Sequence, residues 1–277
     1  MRVILSRKGF DSSYGGYPSL ILPNRTLISL PIPGGYDEIR FASVRSGYGD
    51  MTLYDVMRRI RDTIYYKTKV TLTEETRCHL DPDLRHESIP RSPDWKGCFG
   101  QAGAAQTVLE NNGVKKDDII LFFGWFNHYY ADKGLFRQAE GHGKHIIFGY
   151  MQIETKIYTN KDVIPEWLLY HPHALERRVS RDTNCIFTAQ ERLSWDHNLP
   201  GYGIFRYSEK LDLTKDGLSR SKWELPEFFR NKKITYHSNT SWKDGYFQSA
   251  HRGQEFVIEE DDDILNWAKW LINESIC

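Results

Sequence analysis

Residues 119–127, IILFFGWFN, decide the fold. The run carries no polar side chain until Asn127, so it does not alternate as a strand with one wet face does. It reads as a central strand covered on both faces, the usual condition of a strand in a parallel sheet. Working outward, residues 100–114 (GQAGAAQTVLENNGV) are expected to form a helix closed by Asn112 and Gly113. Further strands are expected at 3–5, 145–158, 184–189, 203–207 and 234–236. Residues 52–65 have apolar residues at helical spacing, with Thr52 as N-cap and Asp55 completing a capping box. Short helical stretches are expected at 164–173 and 223–229, and an amphipathic helix at 263–272 closes the chain. The segment 18–40, whose proline-bearing part 18–33 reads as an irregular loop or edge hairpin, and the polar segment 78–98 read as loop insertions. Helices alternating with apolar strands predict an α/β fold: one domain over residues 1–277, with a central, largely parallel sheet flanked by helices.

The 277 residues include 8 Trp, 16 Tyr and 14 Phe. That is more than a core of this size requires, so part of the aromatic content is expected to line a recognition surface. Formal net charge is zero, so any affinity for nucleic acid must come from local basic patches. Cys78, Cys98, Cys185 and Cys277 are far apart and form no CxxC pair. That spacing argues against structural zinc and a disulfide framework, and suits a reducing cytoplasm. No signal peptide and no apolar run of membrane-spanning length is seen, so a cytoplasmic location without a membrane partner is expected.

In α/β sheets ligands bind beyond the carboxyl ends of strands. Three polar clusters fall at such exits: residues 7–16, 125–130 and 237–242. Asp11 lies among Gly9, Gly15 and Gly16; its carboxylate can position water or a cation, or cap its own loop as an Asx turn. The Asn127 amide offers a donor and an acceptor together, which suits a base edge, and Trp125 and Tyr129 can stack on that base. His237 can stabilise a departing anion, and Trp242 can fill the gap left by a flipped nucleotide. The segments HLDPD (His79, Asp81, Asp83) and HPH (His171, His173) contain ligand-type residues. They lack HxxxH or HExxH spacing and their prolines favour turns, so no metal is expected.

Residues 237–247, HSNTSWKDGYF, resemble the last motif of uracil-DNA glycosylases in the strand-end His and the Gly-aromatic-Phe turn. They lack that motif's prolines and carry Trp242 near its inserted leucine. The run IILFFGWFN resembles the strand that delivers that family's base-reading Asn. A resemblance covering most of the chain rests on RKGFDSSYGGYPS, HLDPD, GQAGAAQ, LFFGWF, PGYGIF and GYFQSAHRGQEFV. These are similar to the third nucleotide-modification-associated domain family, found among prokaryotes and phages near DNA-modification genes. Some of its members are implicated as phage-defence glycosylases that excise glucosylated hydroxymethylcytosine.

The resemblances imply a uracil-DNA-glycosylase-like domain that flips and excises a modified base from double-stranded DNA, acting as a monomer without metal or organic cofactor. Asp11 would orient water, Asn127 read the base and His237 stabilise it on departure. Tyr14, Asp81, Asp83, Gln101, Trp125, Tyr129, His171 and His173 would form the base or sugar pocket. Arg7, Lys8, Ser238, Thr240, Ser241, Trp242 and Arg252 would contact DNA. Lys8 also raises a lyase variant through a Schiff base. Two alternatives stay open: a base- or nucleotide-modifying transferase with a donor pocket, and a non-catalytic reader of modified DNA that tolerates loss of Asp11.

Overall fold

The computed structural model describes residues 1–276, so Cys277 lies outside the described residues. Ten strands form one sheet. They are β1 (Val3–Arg7), β2 (Ser19–Ile21), β3 (Leu27–Ile28), β4 (Cys98–Ala102), β5 (Ile119–Asp132), β6 (Leu135–Gln138), β7 (Lys144–Tyr158), β8 (Asn184–Ala189), β9 (Tyr202–Ile204) and β10 (Glu255–Val257). The order through its middle is β10-β1-β5-β7-β8-β4; β2 and β6 also pair with β5, and β9 with β7. The deciding run is the heart of β5, and Ile119, Ile120, Leu121, Phe122 and Phe123 are fully buried between β1 and β7.

The sheet is mostly antiparallel, which corrects the expected parallel layout. Among the described residues only β1–β5 and β2–β5 pair in parallel. The pairs β1–β10, β5–β7, β7–β8, β8–β4, β7–β9 and β5–β6 run antiparallel. The reason is length. β5 has 14 residues, so it spans about 46 Å at 3.3 Å per residue. The link 133–143 reaches at most roughly 36 Å when fully extended. It cannot carry the chain back to start β7 in parallel, and it folds as the antiparallel strand β6 instead. The apolar run reports burial on both faces, which is compatible with either direction.

The helices are few: α1 (Leu53–Arg58), α2 (Gly103–Asn111), α3 (Glu176–Val179) and α4 (Asp262–Ser275). The Thr52 cap holds as expected: Thr52 Oγ1 accepts from the Asp55 N–H and Asp55 accepts from the Thr52 N–H. The helix nevertheless stops at Arg58, because the β-branched and aromatic run Thr63–Tyr66 pairs with Thr68–Thr71 as a hairpin. Residues 100–102 are strand, not helix; Gly103, at φ +62°, supplies the left-handed break between β4 and α2. The expected helix at 223–229 is a strand end and a 3-10 turn, and 234–236 contributes one isolated bridge, from Ile234 to Ile258. α4 buries Ile264, Ala268, Leu271 and Ile272 in the core built on β1 and β5. Segment 18–40 supplies β2 and β3 and buries Leu20, Leu22, Ile28 and Leu30 in a second core with Phe10, Tyr17 and Phe41. Segment 78–98 remains largely irregular and lies against β4, with Asp83 bridged to Cys98.

Candidate active site

β1 ends at Arg7, and beyond its carboxyl end opens a cleft of ≈ 1190 Å³. Arg7, Arg61, Arg178, Arg181 and Arg220 stand around it, with Tyr14, Tyr66 and Trp125 among its walls. The Arg220 guanidinium lies 4.2 Å from the centre of the Trp125 ring. Arg7 donates to the carbonyls of Ala250 and His251 at 2.6 and 3.0 Å. Burial, and then the neighbouring Arg220, push the Arg7 pKa down to about 10. It keeps its charge at neutral pH.

The floor is a buried network of carboxylates, imidazoles and one lysine. Lys8 leaves β1 and places Nζ 3.4 Å from Glu255 Oε1 and 3.8 Å from Asp81 Oδ2, over the Phe99 ring at 4.3 Å. Glu255 lies opposite Ser6 across the β1–β10 ladder. Its Oε1 accepts from Ser6 Oγ at 3.1 Å and from Gln101 Nε2 at 2.6 Å, while Oε2 has no partner among the described residues. Burial raises the Glu255 pKa, with Lys8 acting against the shift.

Asp81 Oδ1 accepts the Gly100 N–H of β4 at 2.6 Å. His171 Nε2 faces the same oxygen at 3.4 Å, too long for a well-formed hydrogen bond, and has no other partner among the described residues. Burial alone would raise Asp81. The facing His171, Lys8 and the other imidazole outweigh it and hold the carboxyl well below the usual range.

Two further histidines are oriented by their neighbours. His79 Nδ1 lies 3.2 Å from Asp37 Oδ2, and Arg178 holds Asp37 Oδ1 at 2.6 Å. Burial works against charge on Asp37, but His79 and Arg178 prevail and lower its pKa. His173 Nδ1 lies 2.6 Å from Asn184 Oδ1; the Asn184 amide nitrogen donates to Thr159 and to two backbone carbonyls. Burial pushes His173 down to about 3, so it is neutral. One donor atom each from His79, Asp81 and His173 lies within 4.8 Å of the others. The rings fit because position 100 is glycine: a Cβ there would sit 2.3 Å from His173 Cδ2 and 2.8 Å from His171 Cε1.

The residues singled out from sequence divide into two groups. Arg7, Lys8, Asp11, Tyr14, Asp81, Gln101, Trp125 and His173 line the cleft. His171 packs behind Asp81. The other group does not reach it. The Asn127 amide donates to the carbonyls of Ala139 and Gly141 and accepts the His128 N–H, so it braces a loop and has no hydrogen-bonding edge left for a base. His237 donates from Nδ1 to the Thr235 carbonyl and accepts the Ala250 N–H at Nε2, so both ring nitrogens are engaged. It positions the segment that Arg7 grips. Trp242 packs on Phe247 at 4.9 Å beneath Arg230, not as a protruding wedge. Ser238, Thr240 and Ser241 hydrogen-bond among themselves in an exposed 3-10 turn. Tyr129 is buried with its hydroxyl on the Pro18 carbonyl. Asp83 is enclosed by Arg91 and Tyr170 at 2.6 and 2.7 Å. Arg252 is exposed outside the cleft lining. Asp11 reaches the rim, but its Oδ1 accepts the N–H groups of Ser13 and Tyr14, both at 2.7 Å, the Asx turn that its loop glycines suggest.

Sequence reasoning gives no role to Asp37, Asn184, Arg220 or Glu255, and reads Arg178 only as part of a basic run on a solvated face. Only Glu255 left a signal, as a charged residue followed by Phe256 and Val257 in a buried strand. The others meet the site through contacts between distant segments that no local spacing records.

No curated protein and no solved structure matches the chain. The family model described as Nucleotide modification associated domain 3 matches residues 2–259, a span that holds the whole floor of the cleft and its rim. The chain belongs to the nucleotide modification associated domain 3 family.

Proposed function

We propose that the chain is a DNA glycosylase that excises a modified base, with glucosylated hydroxymethylcytosine of phage DNA as its substrate. The observation that carries this reading is the opposition of charge in the cleft: arginines at the rim and an ionised, buried Asp81 at the floor. Rim arginines suit the phosphates flanking an extruded nucleotide. Trp125 and Tyr14 offer ring faces for the flipped base. The volume of ≈ 1190 Å³ exceeds the common range for small-molecule sites and leaves room for a base carrying a sugar.

Cleavage of an N-glycosidic bond passes through an oxocarbenium-like state, which needs an oriented water and nearby negative charge. Asp81 takes the water-orienting role expected of Asp11, whose Oδ1 caps its own loop. Lys8 and the Gly100 N–H fix the Asp81 side chain. The bound phosphates add negative charge around the sugar. The test is incubation of the protein, with and without divalent metal, with glucosylated phage DNA, scoring free base and alkali-labile sites. Release by the wild type and its loss in Asp81→Asn is the expected result. No release from glucosylated DNA or from plainer modified DNA overturns the reading.

A further inference from the structure

We propose that His79, Asp81 and His173 form a binding site for one divalent metal ion of the zinc class at the cleft floor. The inference goes beyond the base-excision reading and stands on different observations. Its first support is the convergence of three ligand-type side chains from two loops, with one donor atom of each within 4.8 Å of the other two. Donors sharing an ion at 2.0–2.2 Å lie about 3–4 Å apart. Small side-chain rotations close the difference.

The second support is the hydrogen bonding behind the ligands. Asn184 Oδ1 must accept from His173, because the Asn184 nitrogen is a donor to three other oxygens. The proton of His173 therefore sits on Nδ1. Asp37 fixes the His79 proton on Nδ1 in the same way. Both rings are left with a lone pair on Nε2, and among the described residues neither Nε2 has a hydrogen-bond donor. Both residues line the cleft. A metal-bound histidine usually has its other ring nitrogen anchored on a carboxylate or carbonyl, and both kinds of anchor are present here. His171 accepts the His173 N–H at Nδ1, so its own proton is on Nε2; it braces the site and is not a ligand.

The donor set also selects the ion. Two imidazoles and one carboxylate suit zinc, cobalt, nickel or iron(II), whereas magnesium and calcium require mainly oxygen. Three protein ligands leave a coordination position open, as in catalytic zinc sites. An open position beside the cleft would take water or a sugar hydroxyl. The connected carboxylates Asp37, Asp81 and Glu255 are paired with Lys8 and Arg178, and Asp81 is held ionised.

The test uses the full chain freed of metal by chelator. Zn²⁺ is titrated by calorimetry and Co²⁺ by visible absorption. One ion per chain is expected, with a cobalt d–d band that Zn²⁺ displaces. His79→Ala and His173→Ala should each lower affinity by more than 100-fold, with circular dichroism unchanged. Asp37→Asn, which loosens the His79 ring, should weaken binding by about 10–100-fold. Absence of a cobalt band in the wild type overturns the proposal whether or not the variants fold. So does affinity that survives in both histidine variants. Base release takes no part in this test: a chain that binds Zn²⁺ but releases no base keeps the metal site and loses the glycosylase reading.

Discussion

Gly100→Ala is the sharpest perturbation of the floor, because it adds one carbon where two imidazoles meet a strand. The new Cβ would lie 2.3 and 2.4 Å from His173 Cδ2 and Cγ, and 2.8 Å from His171 Cε1. Ordinary carbon contacts begin near 3.5 Å, so the His173 ring must retreat by roughly 1.2 Å. Overpacking of this kind costs about 1–3 kcal/mol. For a chain of this size, at about 2–4 °C per kcal/mol, that lowers Tm by roughly 2–12 °C. The Gly100 N–H that holds Asp81 survives the change, so the loss falls on ring placement. A misplacement of about 1 Å in a catalytic constellation costs on the order of 100-fold in rate. The account therefore predicts a folded protein with a modest drop in Tm and at least about 100-fold slower base release. Gly203→Ala is the control, since its Cβ would meet Tyr150 at an ordinary 3.4 Å. Thermal melts by circular dichroism and single-turnover base release read both effects. Wild-type Tm and rate in Gly100→Ala would refute the packing of the histidines on β4.

Other predictions separate structural from chemical roles. His237→Ala should destabilise the fold by about 1–3 kcal/mol in urea, because it orphans the Ala250 N–H, with single-turnover base release changing less than tenfold. A rate loss of 100-fold or more at unchanged stability would restore a leaving-group role. Acid should destabilise the protein through His145, whose Nδ1 accepts from Trp223 and whose pKa is held well below 6.5 by burial and then by Arg7 and Arg220. The unfolded chain takes up this proton near pH 6.5 and the native one only at lower pH, so stability falls as pH drops below that value. Urea midpoints at pH 7, 6 and 5 should show that slope, and His145→Gln should make it shallower, with the buried His173 supplying part of the remainder. Because Lys8 is ion-paired on both sides, by Asp81 and Glu255, borohydride should trap no covalent complex with DNA, whereas a trapped adduct lost in Lys8→Met would establish a lyase step.

What the sequence disclosed follows the range of each interaction. Burial of β5, the Thr52 capping box and the closing helix depend on neighbours a few positions apart, and these were legible. Strand direction was not, because an apolar run is equally buried in either sense; the short link 133–143 held that information. The Gly103 break was masked by a run, GAAQ, with high helix propensity on its far side. At the site, Asp81 and Lys8 stand in polar motifs of their own, but their partnership spans 73 positions of chain. The spacing of His79 and Asp81 carries no metal signal, because familiar metal motifs space their histidines on a helix. Here the pair lies two apart on an irregular segment, and the third member, His173, arrives from a separate turn. Asn127 and His237 failed for the opposite reason: residue type suggested chemistry, whereas backbone groups contributed by other segments occupy both side chains.

The measurement closest to the central claim is base release from glucosylated phage DNA by wild type, Asp81→Asn and Asp11→Ala side by side, with divalent metal supplied. The account predicts free modified base and abasic sites from the wild type. It predicts a loss of at least about 100-fold in Asp81→Asn and near-wild-type release in Asp11→Ala, whose Oδ1 caps its own turn at the rim. Release that persists in Asp81→Asn and vanishes in Asp11→Ala would contradict the placement of the chemistry at the cleft floor.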